Sequence, residues 1–145
     1  MKKVLFVCIH NSARSQMAEA FLKQHCGEFF EVHSCGLKPG HLNPVVVEAM
    51  SEVGLDISQN KTKDIFPFIR MQPTFDYVIT LCDEAEGENC PTFPRNVTRL
   101  HWSFRDPSAF AGTPEEKLAR TREVRDAIKA RVESWCEEMC SAPAA

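Results

Sequence analysis

This sequence has no long apolar run. The stretch from Val4 to Ile9 gives way at once to His10, Asn11, Ser12 and Arg14. It is far short of the roughly 18 residues a membrane span needs, and the polar residues behind it argue against a secretory leader. Charge of one sign is lacking as well. Seventeen Lys and Arg against 20 Asp and Glu leave a net −3, which offers no broad surface to nucleic acid. Repeats, low-complexity tracts and linker-like composition are missing, so the 145 residues read as a single domain over 1–145, with 140–145 expected to fray. The five histidines have no metal-ligand spacing.

Cysteine, by contrast, is plentiful. There are seven, and an odd number cannot all pair. Without a leader the expected compartment is the reducing cytoplasm, where cysteines are free, metal-bound or redox-active.

Hydrophobic patterning alternates strands with helices. Val4–Val7 reads as a strand buried on both faces. Met17, Ala18, Phe21 and Leu22 recur at helical spacing from Ser12 or Ala13 to about Gln24, with Gly27 as a stop. Phe29–Ser34 is a second strand. Asn43-Pro44 starts a helix with a cap and a first-turn proline, and Gly54 ends it. Residues 58–73 hold a short helix. Tyr77–Leu81 and Val97–Trp102 are two more strands. Thr113-Pro114-Glu115-Glu116 opens the last helix as a capping box, whose apolar face is Val124, Ile128, Val132, Trp135 and Met139. The pattern predicts an α/β sandwich on a mostly parallel four-stranded sheet, with chemistry collected beyond the carboxyl ends of the strands.

Beyond the first strand lies Cys8-Ile9-His10-Asn11-Ser12-Ala13-Arg14-Ser15. A loop between a buried strand and a helix start turns backbone N–H groups and the positive helix end toward one point, which suits an anion. Arg14 can clamp a tetrahedral oxyanion through two N–H groups. A cysteine in that field is favoured as the nucleophilic thiolate, Ser15 can donate a hydrogen bond to it, and Asn11 tolerates a left-handed backbone. Cys-x5-Arg alone is a weak signal, compatible with a buried thiol and a surface charge. Its strand–loop–helix context makes it strong. Asp106-Pro107 follows the fourth strand at the same sheet end. Taken alone the pair is a common turn; beside the anion loop Asp106 reads as an acid that protonates a leaving oxygen.

Together these features resemble the low-molecular-weight protein tyrosine phosphatase superfamily, and within it the thioredoxin-coupled arsenate reductases. The resemblance rests on Asn11 to Ala20, Asp56-Ile57-Ser58, Val78 to Asp83, Cys90-Pro91, His101-Trp102 and Asp106-Pro107. It implies a three-layer sandwich with strand order 2-1-3-4. It implies reduction of arsenate to arsenite by three cysteines, with Cys8 as nucleophile and Cys82 and Cys90 forming the disulfide that thioredoxin reopens. Arg14, Ser15 and Asp106 would complete the catalytic set, and residues 8–15 the substrate loop. Weak phosphatase activity and a monomer are further expectations. Some relatives bind potassium, and Asn11, Glu19, Ser34 and Asp64 align with those oxygen donors; no tightly bound cofactor is expected otherwise. The sequence departs from the pattern at His10, where related phosphatases have glycine, and in a Cys82–Cys90 segment about one residue longer than in familiar members.

Alternatives are a tyrosine phosphatase using Cys8, Arg14 and Asp106, transfer of arsenate to a small thiol, and an oxyanion-binding module without turnover. Cys26, Cys35, Cys136 and Cys140 are expected to be bystanders. Cys136 and Cys140 share a helix face, but a disulfide between such positions is disfavoured.

Overall fold

The computed structural model describes residues 1–70, 75–83 and 97–141. Among these, four parallel strands, β1 (Lys2–Cys8), β2 (Phe30–Gly36), β3 (Tyr77–Thr80) and β4 (Thr98–His101), form one sheet in the order β2-β1-β3-β4. This is the expected order. The helices are α1 (Arg14–Cys26), α2 (Pro44–Ser51), α3 (Ile65–Arg70) and α4 (Pro114–Ser141).

Side chains alternate across β1 as a strand demands. Val4, Phe6 and Cys8 face a core with α1, α2 and α4, built on Met17, Phe21, Val46, Ile128 and Val132. Leu5 and Val7 face the opposite side, with Cys35, Ile65 of α3, Phe75 and Val78. Helices thus cover both faces, and β1 is apolar from Val4 to Cys8 because neither face of that stretch meets water. Trp135 of α4 closes the first core, stacking on Phe30 at 5.2 Å and meeting Tyr77 and Trp102 edge-on.

The helix ends follow the local signals. Asn43 Oδ1 accepts the N–H groups of Val45 and Val46. Gly54, at φ +81°, closes α2: its N–H reaches Ser51 O and that of Leu55 reaches Met50 O. That hydrogen-bond pair needs a left-handed residue at this position. Thr113 Oγ1 accepts the Glu116 N–H at the head of α4. A second tie joins α2 to α4. Glu52 binds Arg122 and Arg125, and mainly the Arg122 hydrogen bonds hold its carboxyl down to about 2.

One expectation needs correction. The second strand runs to Gly36 rather than Ser34, because Cys35 and Gly36 pair with Val7 and Cys8. The helical backbone of α4 runs through Ser141, two residues into the stretch expected to fray.

Candidate active site

β1, β3 and β4 end at one edge of the sheet, and the loops leaving them meet there. Residues 9–13 connect β1 to α1. Their carbonyls are pulled outward by the segment after β2. Leu37, Lys38, Gly40 and Asn43 donate their N–H groups to Cys8 O, Ile9 O, His10 O and Ser12 O, at 2.7–3.1 Å. Of the loop's own N–H groups, that of Asn11 points at Cys8 Sγ, 3.1 Å away. Ala13 precedes α1 with no side-chain cap, so the first-turn N–H groups have no partner from a capping side chain.

Cys8 is 2% exposed. Its sulfur lies 2.8 Å from Ser15 Oγ, as the sequence suggested. Asn11 is the one described non-glycine residue at positive φ, +53°, and its side chain explains how it stays there. Asn11 Nδ2 donates to Ser15 Oγ and Ser34 Oγ, while Oδ1 accepts from Gln16 Nε2 and the Lys63 N–H. The amide is fully satisfied, which matters for a buried polar group. His10 takes no left-handed conformation; its ring nitrogen lies 2.9 Å from Lys38 O and the side chain is exposed. The loop therefore accommodates it without using the freedom a glycine would give.

Arg14 is also 2% exposed. Its Nη1 donates to Leu81 O and Phe104 O, fastening the loops after β3 and β4 to the anion loop. Its Nη2 lies 3.6 Å from Asp106 Oδ2. Asp106 caps the short turn Pro107–Ala109 through the Ser108 N–H. Ser108 Oγ is in turn 3.4 Å from Ser12 Oγ and accepts from Asn43 Nδ2. Cys82 is fully buried, two residues beyond Thr80, the partner of Val7 in the register. Leu81 continues that ladder with an N–H to Val7 O, so Cys82 stands just past Cys8 on the adjoining strand, where strands run about 5 Å apart. Cys90 lies outside the described residues.

Of the four expected potassium donors, Asn11, Ser34 and Glu19 meet in one network, while Asp64 caps α3 through the Phe66 N–H. Glu19 opposes its own ionisation by burial. The hydrogen bonds from Lys23 and Ser34 and the charge of Lys63 outweigh that and lower its pKa. A cation of the chain's own, the Lys63 ammonium, thus sits 3.2 Å from Glu19, and Asn11 turns its NH2 rather than its oxygen toward Ser34. As arranged, this set does not fit a potassium cage.

Several contributors escaped sequence reasoning. Gly36 is one: a Cβ there would stand 2.8 Å from Asn11 N, His10 C and Ile9 O, so glycine is required where β2 passes under the loop. Gln16 and Lys63 are others, both polar positions in otherwise ordinary surroundings. Cys35 is buried and its thiol is pushed up by burial and by Cys8 nearby, which fits its expected passive role. Three of the four cysteines expected to be bystanders come together away from the cleft. Cys26 at the end of α1 pairs with Cys136 of α4 as a disulfide, and Cys140 Sγ lies 3.6 Å from Cys26 Sγ. Only the spacing within α4 is visible locally, whereas the third sulfur comes from the neighbouring helix.

A family model described as "low molecular weight phosphotyrosine protein phosphatase" matches residues 3–142. The chain is 45% identical over 136 residues to an arsenate reductase of Bacillus subtilis, covering 94% of this chain and 96% of the relative. It resembles a solved structure of an arsenate reductase in the phosphate binding state, with a TM-score of 0.76, 36% identity, and coverage of 95% and 98% of the two chains. A thioredoxin-dependent arsenate reductase of Corynebacterium glutamicum matches with a TM-score of 0.58 and 28% identity, over 92% of this chain and 63% of that one.

Proposed function

We infer that this chain, which belongs to the low molecular weight phosphotyrosine protein phosphatase family, reduces arsenate to arsenite by thioredoxin-coupled thiol chemistry. One observation carries the chemistry: Cys8 Sγ lies within the 8–15 loop, hydrogen-bonded to Ser15 and to the Asn11 N–H, with a second buried thiol, Cys82, just past the end of the adjoining strand. A phosphatase needs the first of these and has no use for the second.

Arsenate is tetrahedral and anionic, so the 8–15 loop can hold its oxygens through backbone N–H groups and Arg14. The Cys8 thiolate attacks arsenic, and one oxygen leaves as water on a proton from Asp106, giving a thiol–arsenate adduct. The Cys82 thiolate then attacks Cys8 Sγ. The S–As bond breaks with its electron pair on arsenic, which falls from As(V) to As(III) and departs as arsenite. A Cys8–Cys82 disulfide remains. Cys90 attacks Cys82 and frees Cys8, and thioredoxin reduces the Cys82–Cys90 disulfide by exchange. Such a cycle runs in a compartment that returns thiols to the reduced state, which is the cytoplasm.

No described helix is long and apolar enough to cross a membrane. A potassium ion on Asn11, Glu19, Ser34 and Asp64 would have to displace the Lys63 ammonium; an equal melting temperature in potassium and sodium chloride at matched ionic strength would argue against it.

The experiment is arsenate-dependent NADPH oxidation with thioredoxin and thioredoxin reductase, run beside glutathione and glutaredoxin. NADPH use in the thioredoxin arm with matching arsenite is the expected result. Release of phosphate from an aryl phosphate with no arsenite formed would favour the phosphatase reading.

A further inference from the structure

Outside the catalytic cleft, Cys26, Cys136 and Cys140 bring their sulfurs together within 4.8 Å of one another. We propose that these three thiols, when reduced, form a binding site for a trigonal thiophilic metalloid, with arsenous acid as its ligand. The choice of ligand rests on the arsenate-reductase reading; the cluster itself does not.

Two of the three sulfur spacings suit three-sulfur coordination, and the third pair, Cys26 and Cys136, is joined and separates only on reduction. Bonds of about 2.3 Å from a bound centre to thiolates set ligand sulfurs roughly 3.5–4 Å apart. Cys140 Sγ stands 3.6 Å from Cys26 Sγ and 3.9 Å from Cys136 Sγ. Two helices hold the set: Cys26 ends α1, and Cys136 and Cys140 lie one turn apart on α4. Cys26 and Cys136 are buried while Cys140 is exposed, so two ligands are packed in place and one faces solvent. Beside them a surface depression of ≈ 620 Å³ includes Cys26, His25 and Gly27, which gives a small neutral molecule a way in.

Ligand number decides among thiophiles. Structural zinc takes four protein ligands, and the described residues assemble three. Trivalent arsenic carries a lone pair and takes three. Soft sulfur ligands favour such a centre over hard cations. Arsenous acid is neutral at pH 7, so the acidic residues next to these cysteines on α4, Glu133, Glu137 and Glu138, neither attract nor repel it.

The chemistry balances. Cys26 and Cys136 are joined in the structure. A dithiol reductant, which the catalytic cycle already uses, supplies two electrons and two protons and opens that bond. Three S–H bonds and three As–OH bonds are then replaced by three As–S bonds and three waters. Arsenic stays As(III) throughout. Product would thereby be held at a distance from Cys8.

The test is arsenite binding to the full chain carrying Cys8→Ser, Cys82→Ser and Cys90→Ser, reduced with a phosphine. The one other cysteine, Cys35, is buried on the far face of the sheet. Equilibrium dialysis should give one arsenic per chain, and X-ray absorption at the arsenic edge should count three sulfur neighbours. Adding Cys140→Ser should lower that count to two and weaken binding at least tenfold. Absence of bound arsenic, fewer than three sulfurs, retention unchanged by Cys140→Ser, or zinc chloride held so that arsenite cannot displace it would each overturn the proposal. If the triple variant fails to fold, Cys140→Ser in the otherwise unaltered chain should remove one bound equivalent, and no change there overturns the proposal equally. None of these readouts needs turnover. An active enzyme that binds no arsenite here sinks only this site, whereas a chain that makes no arsenite from arsenate sinks the functional reading and leaves the binding count standing.

Discussion

Replacing Asn11 tests how the anion loop is held. Asn11→Ala removes an amide that makes four hydrogen bonds, three of them buried, and puts a Cβ residue without a polar side chain at φ +53°. Of the groups left behind, Gln16 keeps Lys61 O and Ser15 keeps Cys8. The Lys63 N–H loses its acceptor, at a cost of about 1–3 kcal/mol. The left-handed backbone adds roughly 1–2 kcal/mol for alanine. The sum is about 2–5 kcal/mol, or a fall in Tm of roughly 3 °C per kcal/mol for a chain of this length. Asn11→Gly shares the first loss but not the backbone strain, so it should melt higher than Asn11→Ala. Asn11→Asp keeps the acceptor yet loses both donors and sets a negative charge beside Cys8 and the substrate, so it should retain more stability while losing most arsenate binding. The assays are thermal and urea unfolding, with kcat/KM for arsenate alongside. Equal stability of the glycine and alanine variants would refute the backbone part. A loss under about 0.5 kcal/mol for both would refute the network.

Gly36→Ala should force the loop away from β2, because its Cβ meets backbone at 2.8 Å; we expect KM for arsenate to rise more than tenfold, checked by steady-state kinetics. Asp106→Asn removes the proposed proton donor and should cut turnover by about 10²–10⁴ while phosphate still binds by calorimetry. Glu19 has a folded pKa below its ordinary 4.5, so its ionised form stabilises the fold. That contribution is complete above pH 4.5 and disappears as pH falls through the lower folded value. The stability gap between the unaltered chain and Glu19→Gln should therefore narrow on acidification across that window, and a gap that widens would contradict the assignment.

Much of this was legible locally because the signals are local. The apolar run of β1, the Asn43 cap and the capping box at Thr113 each act within a few residues, and the structure follows them. The candidate nucleophile, its arginine and its serine announce themselves because their chemistry is unusual between a strand and a helix. What the sequence hides are contacts between distant segments. Gly36 matters through the close passage of one backbone beneath another. Lys63 and Gln16 matter through a single asparagine side chain that they both reach. Cys26 lies 110 residues from Cys136, and no spacing rule joins them until α1 and α4 are packed side by side.

The central claim is that electrons reach arsenic through Cys82 and are passed on by Cys90. Its most direct measurement is a single-turnover experiment on Cys90→Ser, with arsenite quantified per chain and disulfides mapped by mass spectrometry. The relay predicts one arsenite per chain, then arrest with a Cys8–Cys82 disulfide. Repeated turnover of Cys90→Ser with thioredoxin alone, or arrest without that disulfide, would contradict it.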